Sequence, residues 1–204
     1  MNKVILMSIQ PKWLAKILDG EKTIDIRKTM PKCELPIDVY LYCTKGKKYL
    51  HHDHMFLTDN DRLFLSSKIE LPRGFILNGK VVVKFTLNKV EEVVDNGSSY
   101  RINNDVAHTN EVARNSCLDF KEMKEYLGGK NGYAWHIDNL VIFDKPKELS
   151  DFYGIIHYPK GQFLTPDICN YGEGYEEDEE QCLKSFKVNK APQSWQYAYV
   201  KDKV

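Results

Sequence analysis

The chain has 204 residues, of which 42% are apolar and 28% are charged. These proportions are close to the averages of globular domains, and they argue against a collagen-like, a disordered or a membrane-spanning protein. Lysine plus arginine and aspartate plus glutamate both number 29, so any attraction for a polyanion must come from local clustering of charge. The length favours one domain over residues 1–204.

The charges are indeed clustered. The basic cluster contains Lys3, Lys12, Lys16, Lys22, Arg27, Lys28, Lys32, Lys45, Lys47 and Lys48. The acidic cluster contains Glu173, Glu176, Glu177, Asp178, Glu179 and Glu180. Because like charges packed this closely repel one another, the stretch Gly172–Glu180 is expected to be an exposed loop. One region can meet phosphate while the other repels it.

The five cysteines form no CxxC pair, and no secretory signal precedes them. This pattern predicts reduced thiols and a cytoplasmic location, with no structural zinc. No run approaches the roughly 18 apolar residues that a membrane span needs. The segment His51-His52-Asp53-His54 has metal-ligating side chains but lacks a second ligand cluster at recognisable spacing, so a polar loop is the better account. We therefore expect neither metal nor cofactor.

The first third of the chain has a clear order of elements. The apolar run Lys3–Ser8 predicts a short buried strand, and Pro11 suits the first turn of a helix that Gly20 ends. The alternation of polar and apolar residues over Thr23–Arg27 predicts a half-buried strand. Its residues Asp25 and Arg27 should share one face with Thr23.

Later elements follow from the same patterns. A second helix is predicted at Leu118–Leu127, where apolar residues recur at helical spacing before a Gly-Gly stop. Segments near 49–73, 95–114 and 160–190 interrupt the strand pattern for longer than compact loops do, and we interpret them as insertions. The further predicted strands are Ile37–Cys43, Phe75–Leu77, Lys80–Val90, Ala134–Phe143 and Gln196–Val200. The fold class is α+β.

Three separated segments, in the same order, resemble one family. The stretch from Ser8 to Lys28, reading SIQPKW and then ILDGEKTIDIRK, resembles the opening of the ASCH family: a helix, a G-x-K turn and a strand ending in acid-x-R. The segments GYAWHI at Gly132–Ile137, Lys145-Pro146, and APQSWQY at Ala191–Tyr197 look like a phage- and prophage-associated branch of that family. The resemblance covers about half of the chain.

The resemblance implies a PUA-like fold, a mixed β-barrel with flanking helices and a cleft between the first helix-strand unit and the later strands. Proteins with this fold commonly bind RNA or modified bases, although a fold does not fix a function. The implied partner is therefore RNA or a modified nucleoside. A protein partner is a further alternative, and the sequence does not determine the oligomeric state.

The G-x-K turn and the strand after it supply the charged candidates. Lys22 follows the Gly20 turn, where its ammonium can project toward a phosphate. Asp25 and Arg27 lie two residues apart, so the carboxylate can hold the guanidinium at a fixed angle toward a phosphate or a base edge. The alternative is a purely structural salt bridge.

A hydrolase is the competing hypothesis. A bacterial member of the superfamily hydrolyses N4-acetylcytidine, and the resemblance carries Lys22 onto the lysine of its G-x-K-T turn. That enzyme has a threonine three residues later, where this chain has Asp25, so a threonine-dependent mechanism does not carry over. Lys22 with Asp25 could instead transfer protons in an amidohydrolase acting on N4-acylated cytidine. The enzyme's glutamate has no matched position, and Glu122 and Glu125 are candidates by helix placement only.

Aromatic and polar residues complete the predicted site. Trp135 and His136 are neighbours on a strand and cannot both face one cleft, so one of them belongs to the core. An exposed indole can stack on a base, and polar side chains before the last strand can read a base edge. The predicted nucleic-acid contacts are Ser8, Lys12, Lys22, Arg27, Trp135, Gln193, Ser194 and Trp195. The alternatives are a core tryptophan and structural caps. The leading hypothesis is a binding module with a basic cleft, and its rivals are the hydrolase and a phage-associated protein-interaction module.

Overall fold

The computed structural model describes residues 1–45, 49–50, 54–56, 62–64, 77–102, 109–159 and 181–201. The elements in chain order are β1 Asn2–Ile9, α1 Pro11–Leu18, β2 Ile24–Arg27, β3 Ile37–Cys43, β4 Tyr49–Leu50, β5 His54–Phe56, β6 Arg62–Phe64, β7 Val81–Leu87, β8 Val90–Asp95, β9 Tyr100–Ile102, α2 Thr109–Ser116, α3 Phe120–Leu127, β10 Gly132–His136, β11 Asp138–Lys147, a 3-10 turn at Leu149–Asp151, β12 Phe152–Pro159, β13 Gln181–Lys187 and β14 Trp195–Val200.

The described strands form three sheets. The largest has the order β11-β7-β3-β1-β14-β12-β13, the second has the order β2-β10-β8-β9, and a small third sheet contains β4, β5 and β6. Strands β1 and β3 run parallel, whereas their other neighbours in the large sheet are antiparallel. The α+β class with a mixed sheet is confirmed. Among the described strands β11 and β13 are open edges of the large sheet, so the expected barrel is not closed by hydrogen bonds there.

The large sheet is covered on both faces, which explains the continuous apolar run of β1. Ile5 and Met7 point into a core shared with α1 and Trp135, whereas Val4 and Leu6 point into a second core on the opposite face. A strand that is buried on both faces has an unbroken apolar sequence rather than an alternation of polar and apolar residues. The four-stranded sheet packs its far face on α2 and α3.

Two predicted strands are each two strands in the structure. The expected strand Lys80–Val90 is divided between β7 and β8, and the expected strand Ala134–Phe143 is divided between β10 and β11. In both cases the chain leaves one sheet and enters the other. A backbone hydrogen bond of 3.1 Å from His136 to Lys89 joins the two corners. Apolar periodicity continues through such a corner, so the sequence pattern does not show it.

The helix α3 confirms the prediction for Leu118–Leu127. Its start is fixed by a capping box, in which Asp119 accepts from the backbone of Glu122 while Glu122 accepts from the backbone of Asp119. Gly128 then ends the helix at a φ of 69°, a left-handed conformation that glycine adopts without strain. The structure describes no helix long and apolar enough to cross a membrane.

Several elements lie where the sequence predicted insertions. Strand β9 and most of helix α2 lie within 95–114, and Tyr100 and Val112 are buried in the core of the four-stranded sheet. Strand β13 lies within 160–190. The acidic stretch Gly172–Glu180 and most of Phe75–Leu77 lie outside the described residues, as do His51, His52 and Asp53. No group of metal-ligating side chains is found in the ranges that the structure describes.

Candidate functional site

The helix α1 and strand β2 bring three charged side chains together. The chain leaves the helix through Gly20 at a φ of 77°, and the backbone of Lys22 returns to Lys16 with a hydrogen bond of 2.9 Å. Strand β2 then pairs with β10 so that Asp25 lies opposite Trp135 and Arg27 opposite Tyr133. Because side chains alternate along a strand, Asp25 and Arg27 face the space between the two larger sheets. The predicted shared face is confirmed for these two residues.

Lys22 is buried and fully engaged. Its ammonium donates to the carbonyl of Ile24 at 2.9 Å and to that of Ser116 at 2.8 Å, and it lies 3.2 Å from Oδ1 of Asp25. An ammonium has three N–H donors, so these partners use all of them. Only 2% of Lys22 is exposed. The geometry therefore contradicts a direct phosphate contact by Lys22 in this conformation and gives the side chain a structural position.

Asp25 holds the two cations together. Its Oδ2 accepts a hydrogen bond of 2.6 Å from Nε of Arg27, while its Oδ1 faces Lys22. Burial alone would raise the pKa of Asp25, but the charges and hydrogen bonds of Arg27 and Lys22 outweigh burial and lower it. Burial lowers the pKa of Lys22, against the opposing effect of Asp25. We call these three residues the buried triad.

Arg27 connects the triad to two other elements. Its Nη1 donates to Oγ of Ser194 at 3.1 Å and its Nη2 donates to the carbonyl of Ser8 at 3.2 Å. With the bond to Asp25, three of the five guanidinium N–H groups have partners among the described residues. Two N–H groups remain, and 7% of Arg27 is exposed. Arg27 is therefore the member of the triad whose charged group still has N–H donors for a ligand.

Ser8 has a structural place rather than a ligand-facing one. Its hydroxyl donates to the carbonyl of Pro192 at 2.6 Å, and its backbone N–H donates to the carbonyl of Ser194 at 2.8 Å. These bonds fix the segment before β14 against the end of β1. They set the position of Ser194, whose hydroxyl accepts from Arg27 and retains its own proton for donation. Gln193, beside it, is exposed.

The two predicted tryptophans differ in access. Trp135 is completely buried, and its indole donates to the carbonyl of Thr29 at 3.2 Å. The structure thus places the Trp135 ring in the core shared with α1, which is the alternative of a core tryptophan. Trp195 is half-buried and donates to Oγ1 of Thr29 at 3.1 Å. Its ring lies 5.4 Å from that of Trp135.

Lys12 lies on α1 beside the triad. Its ammonium stands 4.5 Å from the centre of the Trp13 ring and 3.6 Å from a carboxylate oxygen of Glu122. Lys22 lies 5.6 Å from the same ring, so Trp13 lies between a half-buried cation and a buried one. Gln10 is the N-cap residue of α1, but its side chain forms no capping hydrogen bond.

His136 and three residues that the sequence analysis did not single out complete the surroundings. His136 contacts Glu91 at 2.7 Å, in agreement with a structural histidine. Thr29 binds both indoles, Trp13 covers Lys22, and Tyr126 on α3 is exposed near Arg27. No pattern marks Thr29 or Tyr126, because each acquires its position only when separate elements pack together.

Comparisons with known proteins give distant structural neighbours. No protein-family profile and no curated protein matches the chain. The solved neighbours include ASCH from Zymomonas mobilis, at 14% identity and a TM-score of 0.44, covering 71% of this chain and 73% of that chain. A mutant of the same protein has 15% identity and a TM-score of 0.45, covering 72% and 77%. Similarity at this level assigns neither family nor function, and the phage-associated branch stays a prediction.

Proposed function

We propose that this chain binds RNA or a modified nucleoside at a site centred on Arg27 and Trp195, within a PUA-like domain of the ASCH type. The observation that carries the proposal is the guanidinium of Arg27, which is held by strands β1 and β2 and by the segment before β14. Two of its N–H groups have no partner among the residues that the structure describes. A cytoplasmic location, where RNA is abundant and thiols are reduced, belongs to the same proposal.

Preorganisation is the physical reason why such an arginine suits recognition. A free arginine loses side-chain entropy when it binds, whereas Arg27 has lost that entropy during folding. The planar guanidinium can donate two parallel hydrogen bonds to a phosphate or to a base edge. Arg27 has one N–H group on Nη1 and one on Nη2 without a partner among the described residues, and the triad carries one net positive charge.

The neighbours of Arg27 add the complementary chemistry. Trp195 presents a partly exposed indole whose tilt is fixed by Thr29. Ser194 and Gln193 add a hydroxyl and an amide, which can distinguish donors from acceptors on a base edge. Charge, a stacking surface and neutral polar groups occur together in sites for single-stranded nucleic acids. Lys12 adds a half-buried cation on the adjacent helix.

The hydrolase hypothesis receives less support from the geometry. A buried lysine with a lowered pKa is a common catalytic acid or base. However, Lys22 gives all three donors to protein groups, and Asp25 uses both oxygens on Lys22 and Arg27. Proton transfer to a substrate would require this buried network to open. The proposal is therefore binding without turnover.

The test is a titration of the protein into labelled single-stranded RNA of about 12 nucleotides. Binding is measured by fluorescence anisotropy, with modified nucleosides as competitors. Arg27→Lys keeps the positive charge but removes the planar guanidinium with its paired N–H donors. We expect affinity to fall about 10- to 150-fold, because charged hydrogen bonds worth about 1.5–3 kcal/mol are lost. Circular dichroism checks the fold of each variant.

A second pair of variants, which leave the buried triad intact, tests the site even if the arginine variant misfolds. Gln193→Ala removes an exposed amide beside Arg27 and should weaken binding about 2- to 10-fold. Gln196→Ala removes the same amide from within β14 and should leave affinity unchanged. Wild-type affinity in both Arg27→Lys and Gln193→Ala would contradict the proposed site. Release of acetate from N4-acetylcytidine would favour the hydrolase.

A further inference from the structure

A second basic surface lies on the far face of the large sheet. A concavity of about 790 Å³ is lined there by residues of β1, β3, β7, β11, β12, β13 and β14 and of the 3-10 turn. Its floor includes Val4 and Tyr40, which belong to the core on the opposite face of the sheet from Trp135. We call this surface the outer concavity. It is separate from the Arg27 site, because the sheet and the core shared with α1 lie between them.

The outer concavity has a surplus of positive charge. Five lysines line it against two aspartates. One lysine is neutralised, since Lys84 lies 2.6 Å from Asp38. The other aspartate, Asp151, accepts a backbone hydrogen bond of 2.9 Å from Glu148. The remaining lysines form no ion pair in the described part of the chain. They are Lys145, Lys147, Lys187 and Lys201.

Aromatic rings lie among these lysines. Phe143 and Tyr153 are half-buried and line the concavity, so each ring keeps an exposed part. Lys147 stands 5.3 Å from the Phe143 ring centre and Lys201 stands 5.5 Å from that of Tyr153. A positively charged groove with interleaved aromatic rings is the arrangement by which proteins hold single-stranded nucleic acids without reading their sequence. An acidic peptide has no bases that could stack on these rings.

The number of lysines favours a polymer over a single nucleotide. Lys145 and Lys147 lie on β11 at one edge of the sheet, and Lys187 lies on β13 at the other edge. The 3-10 turn joins the end of β11 directly to β12, which pairs with β13, so the two edges come close together at this end of the sheet. Since one concavity touches both edges, the sheet must curl around it. A mononucleotide carries one phosphate group, whereas a single strand can place successive phosphates against the ammonium groups of all three lysines.

We infer that the outer concavity is a second nucleic-acid contact, which binds the sugar-phosphate backbone of a single strand through Lys145, Lys147 and Lys187. The contact is independent of sequence, because ammonium groups meet phosphates and rings stack on any base. Its affinity must fall with salt, since each neutralised phosphate releases counterions. The Arg27 site and the outer concavity therefore make separable contributions.

The test compares two triple variants by anisotropy with single-stranded RNA of about 12 nucleotides, over a range of salt concentrations. Lys145→Ala/Lys147→Ala/Lys187→Ala should weaken binding at least about tenfold at low salt. It should also reduce the magnitude of the slope of log affinity against log salt concentration by about 2, because each of the three lost phosphate contacts contributes roughly 0.7.

The control is Lys121→Ala/Lys124→Ala/Lys130→Ala, which removes the same charge from α3 and the turn after it. It also removes a comparable cation-ring contact, since Lys124 stands 5.3 Å from the Phe120 ring. We expect a change of less than about twofold in affinity, because these lysines lie apart from the outer concavity. Thermal melts should show that both triple variants are folded, since the substituted side chains are mostly exposed.

Three results would overturn the inference. The first is wild-type affinity and salt slope in the concavity variant. The second is binding of adenosine monophosphate by the concavity as tight as that of RNA, which would make it a mononucleotide site. The third is equal competition by poly-glutamate of matched charge, which would make it a site for acidic proteins. Arg27→Lys should leave the salt slope nearly intact, so failure at one surface does not imply failure at the other.

Discussion

Replacing Asp25 by asparagine should destabilise the protein strongly. The carboxylate lies 3.2 Å from Nζ of Lys22 and 2.6 Å from Nε of Arg27, and all three side chains are buried. Without its negative charge, two buried cations are left facing each other. Removing one partner of a buried ion pair costs about 3–5 kcal/mol in the free energy of unfolding. For a chain of this size, that corresponds to a fall in Tm of roughly 6–20 °C.

Urea unfolding and thermal melts, both followed by circular dichroism, measure this effect. Asp144→Asn on β11 is the control, because Asp144 is exposed, and it should change stability by less than about 0.5 kcal/mol. A double variant sharpens the test. Lys22→Met with Asp25→Asn removes one cation, so it should be less destabilised than the sum of the two single variants. An Asp25→Asn protein within about 1 kcal/mol of wild type would refute the buried triad as a coupled unit.

Three further outcomes are expected. The lowered pKa of Asp25 contributes stability that is present above its unfolded value of 3.8 and lost as pH falls below it, so urea titrations should show a loss on acidification that Asp25→Asn largely lacks. Trp135→Ala should lower the free energy of unfolding by about 3–5 kcal/mol, measured by urea titration, because it empties a completely buried site. Trp195→Ala should cost less stability but reduce RNA affinity about 5- to 150-fold in anisotropy titrations, as loss of one stacked base worth about 1–3 kcal/mol predicts.

Local patterns predicted the first helix-strand unit well. Pro11 and Gly20 mark the ends of a helix by their backbone preferences, and the alternation around Asp25 and Arg27 predicts a strand with both charges on one face. The ion pair follows from that spacing. These signals are contained within a few residues, so they can be interpreted without the rest of the chain.

The burial of Lys22 could not be predicted in this way. Its ammonium donates to Ser116, which lies 94 residues further along the chain at the end of helix α2. Most of that helix lies in a segment whose sequence pattern indicates an insertion. The choice between Trp135 and His136 as the core residue was left open for the same reason. It depends on which sheet β10 joins, and the pattern around Ala134–Phe143 continues through the corner between the sheets.

The outer concavity depends on distant contacts as well. Its lysines lie outside the basic cluster of residues 1–48, and they are spread over residues 84–201. Only the curl of the large sheet brings β11 and β13 to one surface. A search for basic runs in the sequence therefore finds the α1-β2 region and misses the opposite face.

The measurement that tests the central claim most directly is a nitrogen-15 NMR titration of the wild-type protein with single-stranded RNA and with modified nucleosides. The account predicts that the side-chain Nε–H of Arg27 and the indole N–H of Trp195 shift together and saturate with the ligand. If those two signals stay fixed while others move at saturation, the ligand binds elsewhere and the proposed role of Arg27 is contradicted.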